Sequence, residues 1–301
     1  MIPVILGATA VGKTEIGMQI CLKLNGEIIS ADSRQIYRGM DIGSAKPTRE
    51  QRTLVRHHLI DILDPEQTFS AGDFVRQASA AISDIQSRGR LPVVVGGAGL
   101  YIRALTKGLF AGGASDPQLR QNLLHRYVHG GKEKMWEELR LLDPEYAEKV
   151  HLNDRKKTAR FFEIYLSTGL TVSQLKNHQS TASFDSVLIG IQLDRKELYR
   201  RIEQRVERMI VSGLLEEVEQ LKAKGYDATL NSMNSPGYKE IFDYLEGKSS
   251  WETAVELIKR NTRRYAKRQI TWFKKDEVHW FQPHQIDDII SLIQSCLSPK
   301  F

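Results

Sequence analysis

"ILGATAVGKT", residues 5 to 14, stands almost at the start of the chain, and its reading decides the fold. Gly7, Gly12, Lys13 and Thr14 fit the spacing G-x-x-x-x-G-K-[ST]. A short apolar run, Ile2–Leu6, precedes the loop, and Ile16, Ile20 and Leu24 follow it at helical spacing. In a strand–glycine loop–helix unit the glycines let backbone N–H groups turn inward around phosphate oxygens, and the helix N-terminus adds partial positive charge. Residues Gly7, Ala8, Thr9, Ala10, Val11, Gly12, Lys13 and Thr14 are therefore the candidate diphosphate grip. Lys13 would neutralise the terminal phosphate and the Thr14 hydroxyl would ligate Mg²⁺. The loop alone leaves three chemistries open: ATP hydrolysis, phosphoryl transfer to a small molecule, and a reaction in which diphosphate leaves.

Working outward, further short apolar runs recur at Glu27–Ser30, Leu59–Ile62, Leu91–Val95, Val187–Leu193 and Val278–Phe281, with helical stretches between them. Runs apolar on both faces, alternating with helices, predict a parallel sheet covered on both sides. The expected fold is α/β, doubly wound: a P-loop-containing parallel sheet flanked by helices. One region breaks the alternation. Between 112 and 184 there is no strand signal; helices start at Asp116-Pro117, Asp143-Pro144 and Asn153-Asp154, the third ending at Gly169, with Gly112-Gly113 and Gly130-Gly131 as punctuation. This predicts a helical insertion, 112–184, in a core made of 1–111 and 185–301. The chain then returns to long helices at about 195–212, 213–224 and 251–273, with Gly213 and Gly225 as breaks.

Composition sets the bounds. With 301 residues, 41% hydrophobic and 27% charged, the chain is long enough and apolar enough for a sizeable core, and disorder is not expected. A net charge of +6 suits a nucleic-acid partner but is shared by many enzymes. Cys21 and Cys296 lack metal or zinc-finger spacing and are expected to be reduced, buried thiols. No signal peptide is recognised, and no run approaches the roughly 18 apolar residues of a membrane span, so a cytoplasmic protein without membrane contact is expected.

Three features outside the loop narrow the chemistry. The run Leu91–Val95 continues into "GGAGLY", 96 to 101, with no carboxylate where a motor ATPase would hold Mg²⁺. This is either a second ligand loop at the carboxyl edge of the sheet or a tight helix–strand junction. Asp32, just after the second strand, faces the same crevice; it is either a base for an accepting hydroxyl or amine, or a turn cap. In "RKELYRRIEQRVERMI", Leu198, Ile202, Val206 and Met209 make an apolar face, and Arg201, Arg205 and Arg208 lie beside it. The segment 259–275 carries Lys259, Arg260, Arg263, Arg264, Lys267, Arg268, Lys274 and Lys275 with no acid, interleaved with Tyr265, Trp272 and Phe273. That pattern suits phosphate contact and base stacking, or a solvated helix whose Ile258, Tyr265 and Trp272 pack inward.

Taken together, "GATAVGKT", "ISADSRQIYRGMDIGSAKP", "VVVGGAGLYIRAL", "RIEQRVERMIVSGLLEEV", "GYKEIFDYLEG" and "TRRYAKRQITWF" resemble the motifs, in order, of the tRNA dimethylallyltransferase (tRNA isopentenyltransferase) family. The resemblance covers nearly the whole chain. It implies transfer of a dimethylallyl group from dimethylallyl diphosphate to N6 of the adenosine just 3′ of a tRNA anticodon, with loss of diphosphate assisted by Mg²⁺. Asp32 matches the general base, and Lys13, Thr9 and Arg205 match groups on the leaving diphosphate. The tRNA contacts it implies fall on Asp32, Ser33, Arg34, Gln35, Ala98, Lys156, Lys157, Arg160, Asn234, Gly237, Tyr238, Lys239, Arg264, Lys267 and Arg268. The adenine must be flipped out of the anticodon stem-loop, and the insertion and core are expected to clamp that stem-loop, with the enzyme a monomer.

Four positions depart from the family pattern: Ala8 stands for proline, Ala98 for threonine, Lys157 for arginine, and Asn234-Ser235-Pro236 for a stretch with a branched aliphatic. Three rival readings follow. An adenylate isopentenyltransferase would need no RNA-binding helix, and a small-molecule kinase would leave the basic segments unexplained. A non-catalytic tRNA-binding paralogue would account for the departures.

Overall fold

Six short segments align into one parallel sheet, which the computed structural model describes through residues 1–108, 116–176 and 184–297. The strands are β1 (Ile2–Gly7), β2 (Gly26–Ala31), β3 (His57–His58), β4 (Leu91–Gly96), β5 (Ser186–Ile191) and β6 (His279–Phe281), in the order β3-β2-β4-β1-β5-β6. Val4 pairs with Val94 and Leu188, and Ile28 with Val93. Successive side chains leave a strand on opposite faces, so each strand feeds two cores. Ile5, Ile28, Val93 and Ile189 enter one, and Val4, Leu6, Ile29 and Val94 enter the other. The α/β reading with a helix-flanked parallel sheet is thus observed.

Local differences have local causes. The run Leu59–Ile62 is not a strand: pairing stops at His58, because Leu59 and Asp61 adopt left-handed φ of 61° and 56°. Such backbone costs non-glycine residues energy and cannot continue a ladder. The three expected helix starts are present. Asp116 accepts from Gln118 N at 2.9 Å, Asp143 from Tyr146 N at 3.1 Å and Asp154 from Lys157 N at 3.0 Å. Gly169 ends the helix Arg155–Thr168 in a left-handed cap. The helix Lys132–Leu142, which follows Gly131, had no sequence signal assigned to it.

The chain forms two compact units, Met1–Thr106 with Ser183–Phe301, and Lys107–Ala182. The second has a core of its own around Met135, Leu139, Phe161 and Phe162. Gly112-Gly113 lies outside the described residues. Of the two free thiols, Cys21 is buried and pushed up to about 12 by that burial, whereas Cys296 is only half-buried. Among the described residues no helix is long and apolar enough to cross a membrane.

Among the described charged groups buried in the first unit, Glu27 on β2 is the most fully enclosed. Glu27 is fully buried, and its carboxylate accepts from Arg88 at 2.9 Å, Arg90 at 2.9 Å and His58 at 2.7 Å. The Arg88 bond, ahead of the opposing effect of burial, holds the carboxyl down at about 2. The stabilisation is present above the unfolded value of about 4.3 and is lost as pH falls towards about 2. Glu27→Gln removes the carboxylate that Arg88, Arg90 and His58 share, leaving Arg88 with Asp84 and Arg90 with Asn25, and we expect it to cost about 2 kcal/mol in urea unfolding, with a flatter stability profile below pH 5. An unchanged midpoint would remove Glu27 from the fold's electrostatic support.

Candidate active site

The carboxyl ends of β1, β2 and β4 put three loops side by side. After β1, Ala10 (φ 67°) and Gly12 (φ 99°) turn the chain into the helix Lys13–Leu24. Lys13 Nζ donates to Ala8 O at 2.6 Å, and Thr9 N donates to Gln269 Oε1 at 2.8 Å. After β2, Asp32 Oδ1 accepts from Arg34 N at 2.8 Å and Gln35 N at 3.3 Å, so Asp32 is the cap of its own turn as well as a wall of the cavity. The Gln35 side chain spans Ser30 Oγ (2.9 Å) and Ala45 O (3.2 Å). After β4, Gly97 O accepts from Gln269 Nε2 at 2.9 Å.

Two chambers open here and share Thr9, Asp32, Ser44, Arg205 and Tyr265. One is polar and contains Lys13, Thr14, Gln35, Gly97 and Gln269. The other is bounded by Val206, Met209, Pro236, Ile258 and Thr262, with Arg34, Asn234 and Arg268 at its polar side. The sequence-predicted set Thr9, Asp32 and Arg205 therefore stands where the two meet.

The cations differ in what they already hold. On the helix Arg195–Val211, Arg200 and Arg201 bind Glu197 at 2.7 Å. Arg205 has neither an ion pair nor a hydrogen bond among the described residues, and burial lowers its pKa against the opposing pull of Asp32. Lys13 is pushed down to about 7, first by burial and then by Arg205, with Asp32 opposing. An arginine that depresses the pKa of a lysine in the same cavity favours an anion between the two.

On the helix Trp251–Phe273, Lys259 is tied to Glu207 at 3.1 Å and Arg263 to Glu203 at 2.7 Å. Arg264, Lys267 and Arg268 are exposed with no carboxylate partner among the described residues; Arg268 lies over the Tyr265 ring at 5.7 Å. Inward packing holds for Ile258, which is buried, and for Trp272, which packs half-buried against the second core, whereas Tyr265 is a half-buried wall of the cavity. In the other unit Lys156 is exposed, Lys157 pairs with Asp154 at 3.3 Å, and Arg160 with the buried Glu163 at 3.0 Å.

Other expected contact residues have structural duties. Tyr238 is fully buried and its hydroxyl donates to Glu217 at 2.6 Å, so its side chain is placed in the core rather than against a base. The same Glu217 accepts from the backbone N–H of Asp41, Ile42 and Gly43. Gly237, at φ 101°, donates to Glu240, and Lys239 pairs with Asp243 at 2.8 Å. Asn234 offers its carbonyl to Arg34 at 3.3 Å, and Ser33 to the same guanidinium at 3.0 Å. Ala98 packs against the second core and donates its N–H to Ala31. Gln269 was not foreseen. Its only sequence signal is an uncharged polar residue on the inward stripe of Ala266 and Phe273.

For Mg²⁺ the polar chamber offers the Thr14 hydroxyl at the start of the loop helix and a single carboxylate, Asp32. Among the described residues no group of three acidic, His or Cys side chains is present. That sparse set fits a Mg²⁺ ligated mainly by diphosphate oxygens and water, as Mg²⁺ prefers.

A parallel sheet with a glycine-lysine-threonine loop at its carboxyl edge, and an acid and an unpaired arginine across the cavity, defines a P-loop protein. The chain belongs to the IPP transferase family, which it matches over residues 35–276. It is 49% identical over 282 residues to tRNA dimethylallyltransferase 2 of Geotalea uraniireducens, covering 93% of this chain and 91% of that one. The tRNA dimethylallyltransferase of Thermotoga maritima is 48% identical over 285 residues, with 93% and 92% covered. A crystal structure of a tRNA isopentenylpyrophosphate transferase from Staphylococcus epidermidis superposes with a TM-score of 0.71 at 40% identity, over 98% of this chain and 99% of that one. A eukaryotic dimethylallyltransferase captured acting on tRNA gives 0.83 at 28% identity, over 97% and 77%.

Because Lys13 sits at about 7 in the free protein, a bound diphosphate raises it, and binding above that pH takes up a proton. We expect inorganic diphosphate to bind the wild type with greater proton uptake than Lys13→Met at pH 8, and with no difference at pH 6. Calorimetry in two buffers of different ionisation enthalpy reads this directly; equal uptake at pH 8 would remove Lys13 from the anion site.

Proposed function

We propose that this protein is a tRNA dimethylallyltransferase that takes its prenyl group from dimethylallyl diphosphate. The observation that carries this reading is the junction of the two chambers at Thr9, Asp32 and Arg205. The polar chamber holds the diphosphate on the loop amides, Lys13 and Thr14. The other receives the flipped adenine, beside Tyr265. At the junction the adenine N6 attacks C1 of the allyl group, the C1–O bond breaks, and its electron pair leaves with the diphosphate. The N6 proton passes to Asp32. Positive charge develops at the allylic carbon and negative charge on the departing oxygen; Lys13 and the unpaired Arg205 are placed to stabilise the latter. Bound Mg²⁺, held through Thr14 and the diphosphate, would supply further neutralisation of the leaving group.

The rivals each leave something unused. A nucleotide prenyltransferase has no need of the exposed, unpaired Arg264, Lys267 and Arg268. A kinase would be expected to place an acid for Mg²⁺ after β4, where "GGAGLY" stands. Among tRNA contacts we assign the greatest share to these three and to Lys156, because Lys157, Arg160, Lys259 and Arg263 on their helices already hold carboxylates.

Mass spectrometry of nucleosides from unmodified tRNA incubated with the protein and dimethylallyl diphosphate tests the reading; a prenylated adenosine is expected. Prenylation of free AMP alone, or phosphoryl transfer from ATP, would replace it, and tRNA binding without transfer would favour the paralogue. Asp32→Asn keeps an oxygen for the turn but removes the base, so the single-turnover rate should fall about 10²–10⁴-fold with tRNA affinity kept. Lys267→Ala should weaken tRNA binding uniformly and reduce the salt slope by about 1. A wild-type rate in the first variant, or an unchanged slope in the second, contradicts the assigned role.

A further inference from the structure

The peptide between Ala8 and Thr9 is held at both ends. Its carbonyl accepts from Lys13 Nζ at 2.6 Å, and its N–H donates to Gln269 Oε1 at 2.8 Å. The amide nitrogen of Gln269 donates to Gly97 O at 2.9 Å, so one side chain ties the diphosphate loop to the second glycine loop. The partners dictate which way the amide faces, since a backbone N–H can only donate and a carbonyl can only accept. Gln269 is 6% exposed. The fit is close: a Cβ on Gly97 would stand 2.2 Å from Gln269 Nε2.

We propose, on the reading that this site transfers a prenyl group, that Gln269 is the positioning residue for Thr9. Its carbonyl oxygen takes the Thr9 N–H out of the set of loop amides available to the diphosphate. What Thr9 then offers to the junction is its hydroxyl, beside Asp32 and Arg205. By fixing the same peptide, Gln269 also fixes the Ala8 carbonyl on which Lys13 rests before an anion arrives. Lysine is released from one oxygen to another without the loop having to reorganise. Gln269 lies on the helix that presents Arg264, Lys267 and Arg268, so the diphosphate loop is fastened directly to the element assigned to RNA.

Geometry of this kind is worth a great deal in rate, since a misplacement of about 1 Å can cost about 10²-fold. Gln269→Leu removes both bonds at similar volume; we expect a single-turnover prenylation rate lower by about 10- to 100-fold with tRNA KM unchanged. In that background Thr9→Val should add no further loss, because the hydroxyl it deletes is already misplaced. Gln269→Glu keeps the acceptor for Thr9 and regains the donor to Gly97 only when protonated. Its rate relative to wild type should therefore recover as pH falls, a profile that a merely structural residue would not produce. A wild-type rate in Gln269→Leu, additive losses with Thr9→Val, a defect confined to tRNA KM, or the absence of acid recovery would each overturn the proposal. Binding of inorganic diphosphate, followed by calorimetry, needs no transfer activity and separates the two levels of inference. Affinity weakened in Gln269→Leu supports the positioning role even if the wild type prenylates no tRNA, which would overturn the functional reading alone; unchanged affinity overturns the role itself.

Discussion

The site depends on how closely backbone approaches backbone at the carboxyl edge of the sheet. A side chain on Gly7 would bring a Cβ to 2.5 Å from the Ile191 carbonyl oxygen, and one on Gly96 to 2.0 Å from that of Ala31. Only glycine lets β1 lie against β5, and β4 against β2, right up to their last residues. Because those ends are flush, the loops that follow share one cavity. The turn after β2 brings Asp32, the loop after β1 brings Thr9 and Lys13, and the helix after β5 brings Arg205. This is the crevice at the carboxyl ends of the strands where ligands bind in open parallel sheets.

Within that frame, pairing sorts the charges. The basic residues of the chain outnumber the acidic ones by only six, and several cations on the long helices are already matched. Arg200, Arg201, Lys259 and Arg263 all hold glutamates. Buried Lys46 is held between Asp41 and Asp61, and Glu27 gathers Arg88, Arg90 and His58. Among the described cations without a carboxylate, four stand where an anion could reach them. Arg205 faces the diphosphate chamber, and Arg264, Lys267 and Arg268 line the exposed side of one helix. A cation held out of water without a counter-charge is costly; burial, and Arg205 beside it, push Lys13 down, and an anion bound here would oppose both effects.

Much of this was legible from sequence because the signals are local. A strand, a glycine loop and a helix in succession announce a phosphate grip through spacing alone. Aspartate before Pro117 and Pro144, and before Arg155, announces helix starts for the same reason: the cap bonds reach only two or three residues. Where the local signal misled, an apolar run was taken for a strand. Leu59–Ile62 has the composition but not the backbone, since Leu59 and Asp61 turn left-handed. Tyr238, a tRNA contact by the resemblance, has its side chain in the core, bonded to a glutamate 21 residues away. Gln269 was missed altogether, because its partners lie 260 and 172 residues distant.

The sequence by itself determined the fold class, the phosphate grip and the family, since each follows from residue types at short, fixed spacing. It also offered Asp32 as a turn cap or a base and three arginines on one helix face, from which the resemblance picked out Asp32 as base and Arg205. What each of them touches only the tertiary structure shows. Asp32 proves to be both cap and cavity wall, and Arg205 is the arginine of that face left without a carboxylate or a hydrogen bond among the described residues. Which charges are free, and which backbone amide is already taken, depends on neighbours brought together from far apart in the chain. Periodicity along a helix cannot record that; the meeting of loops at the edge of a parallel sheet does.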